Sequence, residues 1–478
     1  MKTNLIKQGA GLLFLLLAVS CGIIRPYQRP GNLQKDGLYR DQPSTDTTSI
    51  AGIPWRSLFT DPILQDLVQT GLNRNYDLKT AVARINTATA NLAQSKLVFL
   101  PTLSADAQVT RSKSSGAQLK SYNIGSDSTG GSTAVATTAN TLYSLTGSAS
   151  WEADIWGKLR SSKRAYIAAY LQSDAYRREV QTQLVANIAI DYYQLLAYDE
   201  QIRIVQQTVA NRRKDVEVVK ALKEGAIVTG ADVVNSEANL RAAELQLPDL
   251  LQSRRELENT VSILLAMPPD SIRRSTFAIQ TIDTSLQTGI SSQLLANRPD
   301  VQEAEYAFQN AFELTNIART YFYPSLTISG TAGWATANTL QSFFTGTFYG
   351  SIVGGLTQPI FNQGLNKQRL RTAEAAQQEA YYAFQTALLT AGGEVSNALY
   401  AYRMGVQKET TRREQIASLT KAVDFTQELL KYTSATNYTD VLTAQQNLLS
   451  AQLSGVSDRL QQLQAVVDLY RALGGGWK

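Results

Sequence analysis

The sequence predicts an α+β protein built around long helices, and three observations carry that prediction. First, the chain nearly repeats itself. Asp77 to Pro101, with LSADAQVT after it, returns 223 residues later as Asp300 to Pro324 with LTISGTAGW. GADVVNSEANL at 230–240 returns as YTDVLTAQQNL at 438–448, and Leu265 answers Leu473 at the same offset of 208. A spacing this long is not a solenoid period; it marks two tandem copies of one large unit, an internal two-fold sequence repeat. Second, no proline occurs between Pro101 and Pro248 or after Pro359, so long helices can run there. Third, four segments between those helices alternate with period two, apolar on one face and hydroxyl-rich on the other.

The helices are read from their seams. Ile188, Tyr192, Leu195, Tyr198, Ile202, Val205, Val209, Arg212, Val216 and Val219 step mainly by threes and fours, a coiled-coil seam with one basic interruption at Arg212. After a break near 225–231 a partner resumes with Val233, Leu240, Leu247 and Val261. The second copy repeats this, with Ile416 to Leu430 before a turn near 434–439 and Val441 to Tyr470 after it. A continuous helix over 156–222 would extend on the order of 100 Å at 1.5 Å per residue. Two antiparallel helical hairpins per chain are expected.

The strands fall at about 103–113, 141–155, 325–335 and 347–358. Leu103, Ala105, Ala107 and Val109 alternate with Ser104, Asp106, Gln108 and Thr110, and the other segments follow the same rule. Such strands suit a sandwich edge or a membrane barrel with a wet interior. A closed membrane barrel needs at least about eight strands, and open sheet edges do not survive in lipid. If these four strands lie in a membrane, several chains must share one barrel. Loops at 112–140 and 336–346 would cap the strand pairs on one side.

Composition narrows the chemistry. The 478 residues include no histidine and one cysteine, which removes most metal sites, nucleophilic triads and any disulfide within the chain. No enzyme and no cofactor are expected. Lys2 and Lys7, an apolar run over Gly11–Val19 and Leu17-Ala-Val-Ser-Cys21 read as a secretory signal over 1–20. The cysteine after small residues resembles a bacterial lipobox, although the leucine sits one position further upstream than usual. The alternative is a signal peptide that happens to contain a cysteine. Acyl chains on Cys21 would anchor the protein without a transmembrane helix. Residues 21–55, rich in Pro, Gly and short polar residues, read as an extended tether. Losing Lys2 and Lys7 takes the net charge from +5 to +3, and no basic stripe supports nucleic-acid binding. The remaining division is a first repeat at 56–267, a connecting equatorial segment at 268–299 and a second repeat at 300–478.

Five motifs are similar to the outer membrane efflux protein family, the TolC-like channels, and within it the lipoprotein (NodT-type) branch. They are WEADIWGKLR at 151–160, LANRPDVQEAE at 295–305, ARTYFYPSLTISG at 318–330, GLTQPIFNQG at 355–364 and LYRALGGGW at 469–477. They stand in the family's order across essentially the whole mature chain. The resemblance implies a homotrimer with four strands per chain in one 12-stranded outer-membrane β-barrel. A helical tunnel would continue the barrel into the periplasm of a Gram-negative bacterium. It also implies two partners, a periplasmic adaptor (membrane fusion) protein and an inner-membrane transporter of the resistance-nodulation-division type. The function implied is a passive exit duct for drugs or other toxic small molecules. Secretion of polypeptides, and a structural envelope protein without a channel, are the alternatives; lipidation and the RALGGGW ending favour small-molecule efflux.

The resemblance also carries site residues. In the family, tunnel closure depends on residues beside the hairpin turns. Asp232 and Asp440 occupy matching positions, Tyr432 stands where the family has a linking tyrosine, and Thr443 stands where it often has a second acid. Three symmetry-related Asp440 side chains would attract cations, although an aspartate just past a turn can equally cap its helix, above all at Asp232. The family's arginine near the second turn and its turn glycine are missing around Ser434–Asn437. Gly225, Thr229, Thr436 and Asn437 in the turns are candidates for adaptor contact, with helix capping the alternative for Gly225. Tyr143, Trp151, Trp334, Phe348 and Tyr349, with Phe343 and Phe344, could form an aromatic girdle at the bilayer boundary.

Overall fold

Capping residues fix where the helices begin. The computed structural model of the chain describes residues 23–33, 37–40, 49–113, 139–280, 288–289, 291–337, 339–341, 343–345, 348–432 and 438–478. Asp61 accepts from Ile63 N at 2.9 Å and starts α1, Pro62–Arg74. Asn75 accepts from Leu78 N at 2.9 Å at the head of α2, Tyr76–Leu97. Strands β1, Thr102–Lys113, and β2, Ala139–Ala153, follow. Asp154 then accepts from Leu159 N at 2.9 Å and Arg160 N at 3.1 Å, and Gly157 turns at φ 75, so α3 spans Lys158–Glu224. That turn is why β2 stops at Ala153 and α3 starts at Lys158, two residues after the start of the 156–222 path considered from sequence.

Helix α4, Gly230–Leu264, runs through Pro248. The proline forgoes one backbone bond, which the rest of a 35-residue helix outweighs. Helix α5 is Pro299–Thr320, β3 is Ser325–Ala337, β4 is Phe348–Thr357, α6 is Leu365–Tyr432 and α7 is Tyr438–Ala472. Lengths match in pairs: 22 residues in α2 and α5, 67 and 68 in α3 and α6, 35 in α4 and α7. Among the described residues no helix is long and apolar enough to cross a membrane.

Contacts divide the chain into two compact units that cut across the sequence repeats. The first takes the described residues up to Gln28 with Thr89–Ala168 and Gln309–Gln378. It holds one antiparallel sheet in the order β1-β2-β3-β4. Residue rows run straight across it: Ser104↔Ser148↔Thr331↔Ser351 on one face and Ala105↔Gly147↔Ala332↔Gly350 on the other. Beside the sheet, the Asn316 side chain bonds both the N–H and the C=O of Arg25, at 3.3 and 2.9 Å, and Tyr27 meets the Phe312 ring edge-on.

The second unit comprises Arg29–Ala88, Ala169–Phe308 and Glu379–Lys478. Its core draws on both repeats: Tyr192, Leu195 and Leu196 of α3 pack with Leu64 and Val68 of α1, Phe384 and Leu388 of α6, and Leu463 and Tyr470 of α7. Each such buried side chain contributes about 1.5–3 kcal/mol. Arg29, in the sequence-predicted tether, forms a two-point bond to Glu305 with both distances 2.7 Å.

Candidate functional site: hairpin ends and sheet faces

At the end of the first hairpin, α3 closes with a Schellman turn. Ala226 N donates to Lys223 O and Ile227 N to Leu222 O, both at 2.9 Å. The left-handed residue is Ala226, at φ 57, rather than Gly225, which occupies the preceding C-cap place. Thr229 and Asp232 then form a capping box for α4: Asp232 N donates to Thr229 Oγ1 at 3.3 Å and Thr229 N to Asp232 Oδ2 at 2.8 Å. The carboxylate of Asp232 is thus used at the helix start.

The second hairpin meets the first through Tyr438, which sequence reading did not single out. Tyr438 is 4% exposed and packs with Val219 and Val441, against partly buried Val228 and Val233. Burial, with Asp215 nearby, pushes its hydroxyl up to about 12. Tyr432 instead stands 83% exposed at the end of α6. Asp440 is exposed in the first turn of α7, where the helix dipole favours a negative charge. Thr443 donates its hydroxyl to Thr439 O at 2.9 Å. Thr436, Asn437 and Cys21 lie outside the described residues.

One layer further along, the basic interruption of the seam finds its purpose. Arg212 is 4% exposed, and donates from Nη1 to Asn239 O at 2.7 Å and from Nη2 to Gln446 Oε1 at 2.9 Å. Gln445 Nε2 donates to Asp215 Oδ2 at 2.6 Å. Helices α3, α4 and α7 are therefore joined by a polar layer inside an apolar seam, beside a cleft of about 420 Å³. Burial lowers the pKa of Arg212, opposed by Tyr438 and Asp215. The interruption was visible in sequence; its partner 234 residues away was not.

The sheet faces sort the aromatic residues. Tyr143, Trp151, Trp334 and Phe348 share the apolar face, with Trp334 5.5 Å from Phe348 and 5.6 Å from Phe344. Trp151 donates to Phe99 O at 2.9 Å near the helix end of the sheet. Tyr349 does not belong with them. It lies on the hydroxyl face, where its OH and Thr146 Oγ1 are 2.7 Å apart. Gly333 stands between these two in the register, and a side chain there would strike Leu145 O. The physical reason is the strand period: neighbours of Phe348 must point the other way.

The quoted motifs converge in space. Trp156 Nε1 donates to Pro324 O at 2.6 Å, and Gln358 Nε2 to Phe322 O at 3.2 Å, which gathers three of them at the strand–helix junction of the first unit. In the second unit Arg298 Nη1 donates to Ala472 O at 3.0 Å and Trp477 Nε1 to Asn297 O at 3.1 Å. Gly474, at φ 87, leaves no room for a Cβ beside Asn297 O, which accounts for glycine in RALGGGW.

A family model for outer membrane efflux proteins matches residues 67–266 and 290–475. The pyoverdine export outer membrane protein OpmQ of Pseudomonas putida is 30% identical over 425 residues, 89% of this chain and 88% of that one. The probable outer membrane lipoprotein SilC of Salmonella typhimurium is 28% identical over 481 residues, 97% of each chain. The open-state structure of the MtrE outer membrane channel of Neisseria gonorrhoeae matches with a TM-score of 0.79 and 26% identity, covering 96% of this chain and 99% of that one. The chain belongs to the outer membrane efflux protein family. It is an outer-membrane component of an efflux pump, in a family of ducts rather than enzymes.

Proposed function

We propose that three copies of this chain close a 12-stranded barrel in the outer membrane and serve as a passive exit duct for small molecules. The observation that carries this reading is the open sheet. Within the described residues β1 and β4 are its outer strands, and one face is apolar from Leu103 to Val109 and across the sheet, with Arg111 and Lys113 only at its loop end. Unpaired strand edges cost several kcal/mol per backbone group in lipid, roughly, so sister chains must cover them. The matched helix lengths support the two-fold repeat, which lets each chain supply two strand pairs and two hairpins.

The hairpin ends form the periplasmic aperture in this reading, with Asp440 on its rim and a periplasmic adaptor docking against the turns. An inner-membrane transporter of the resistance-nodulation-division type supplies the energy. Cys21 carries acyl chains, a reading supported by the lipoprotein relative. Tyr143, Trp151, Trp334 and Phe348 lie at the lipid boundary. Along β2, Trp151 and Tyr143 are eight residues apart, about 26 Å of strand and about 20 Å of height at a tilt of about 40°, which fits within an apolar band about 25 Å tall. The OpmQ relative exports pyoverdine, and a small-molecule cargo is the corresponding reading here. Purified protein added to a planar bilayer should give stepwise single-channel conductance. Protein that remains in solution and never conducts would refute the duct.

A further inference from the structure

We infer that Asp106 gives the barrel lumen a preference for cations, so that the strand region as well as the helical ends filters charged solutes. The inference rests on the trimeric barrel proposed above. Register pairs Asp106 with Thr146 on the hydroxyl face, while Ala105 and Ala107 point to the apolar face. The strands carry two acidic side chains on the hydroxyl face, Asp106 and Glu152. Glu152 is matched by Lys158 Nζ at 3.0 Å. Asp106 has no salt bridge among the described residues, and the Thr146 hydroxyl beside it is held from the far side by Tyr349 at 2.7 Å. The strand cations Arg111 and Lys113 alternate onto the other face, near the loop end. Among the described residues, an acidic charge therefore stands in a wall of hydroxyls and small residues with no cation paired to it.

Geometry decides whether that charge is felt. Twelve strands about 4.8 Å apart and tilted by about 40° enclose a backbone radius of roughly 12 Å. Side chains on the wall leave an open radius of roughly 7 Å, below the screening length of about 8 Å at 0.15 M salt. Three-fold symmetry puts three Asp106 side chains at one height. Their combined field corresponds to roughly a fourfold excess of cation over anion permeability at that salt. Solutes favoured at this level are cationic or neutral amphiphiles, and anions are disfavoured.

The test uses the full-length channel in planar bilayers under a KCl gradient, with wild type and Asp106→Asn compared and Asp440 unchanged in both. Asp106→Asn should keep its conductance, while its cation-to-anion permeability ratio falls about fourfold, and further in dilute salt. An unchanged ratio overturns the inference. A second measurement separates this failure from failure of the barrel. Asp106→Cys and Ala107→Cys are treated in lipid vesicles with a water-soluble, membrane-impermeant thiol reagent. Rapid reaction at 106 and none at 107 is expected. Rapid reaction at 107 alone would put the charge on the wrong face and overturn the inference only. Equal reaction at both would mean that the sheet has no lipid face, and the trimeric barrel would fall together with it.

Discussion

Ala226 and Ala266 each hold a left-handed backbone conformation, at φ 57 and 52, that costs an L-residue about 1–2 kcal/mol. Gly474, at the place in the second repeat that answers Ala266, takes the same conformation at φ 87 without that cost. Ala226→Gly should therefore stabilise the end of α3 by about 0.5–1 kcal/mol, read as slower hydrogen exchange at the Ala226 and Ile227 amides. Gly474→Ala should do the reverse, by more than about 2 kcal/mol in thermal unfolding, because the new Cβ also meets Asn297 O. Two acids make stability depend on pH. Burial, then the neighbouring Glu303, pushes Glu179 from 4.5 up to about 7, and burial pushes Asp191 from 3.8 up to about 6. The folded chain holds these protons where the unfolded chain has lost them. Their contribution is complete below about pH 4 and is lost as pH rises through 6 and 7. Melting temperatures of the Glu179→Gln, Asp191→Asn double variant should fall less than wild type between pH 4.5 and 7.5. Asp61 works in the opposite direction. Burial raises its pKa, but bonds from Ser275, Tyr192 and Gln280 outweigh burial and lower it, so its share is lost on acidification.

Among the elements, the contact of α3 with α7 depends on Arg212. Replacing it with alanine would leave a gap where a buried side chain packs and would remove its bonds to Asn239 O and the exposed Gln446 side chain, a cost of about 1–3 kcal/mol. Arg212→Ala should raise exchange across α7 near Gln445 and Gln446. Arg203→Ala, which removes only a surface pair to Glu200 at 2.7 Å, should change stability by less than about 1 kcal/mol. If both variants behaved alike, the polar layer would be incidental. This element scale is also where the sequence was most and least legible. Helix seams, strand alternation and the breaks between hairpins follow from local periodicity, so they can be read in one dimension. The face of Tyr349 was legible too, since its neighbour Phe348 is apolar, yet composition alone grouped it with the aromatic girdle. The partners of Arg212 and the burial of Tyr438 were not legible. Both depend on the register of one hairpin against another, which no local pattern encodes.

For the molecule as a whole, the repeat and the family motifs were readable because both are linear. The motifs LANRPDV and RALGGGW look unrelated in sequence and meet through Asn297, Arg298, Ala472 and Gly474. The anchor has its own test: Cys21→Ala should abolish palmitate labelling, and continued labelling would remove the lipobox. Asp440→Asn should weaken block of the channel by divalent cations, and unchanged block would take Asp440 off the aperture. The central claim is that one chain supplies a third of a closed barrel. The mass of the detergent-solubilised protein, measured without cross-linking, tests it most directly. Three chains per particle is the predicted value; a stable particle of one chain, with its sheet edges open, would contradict the account.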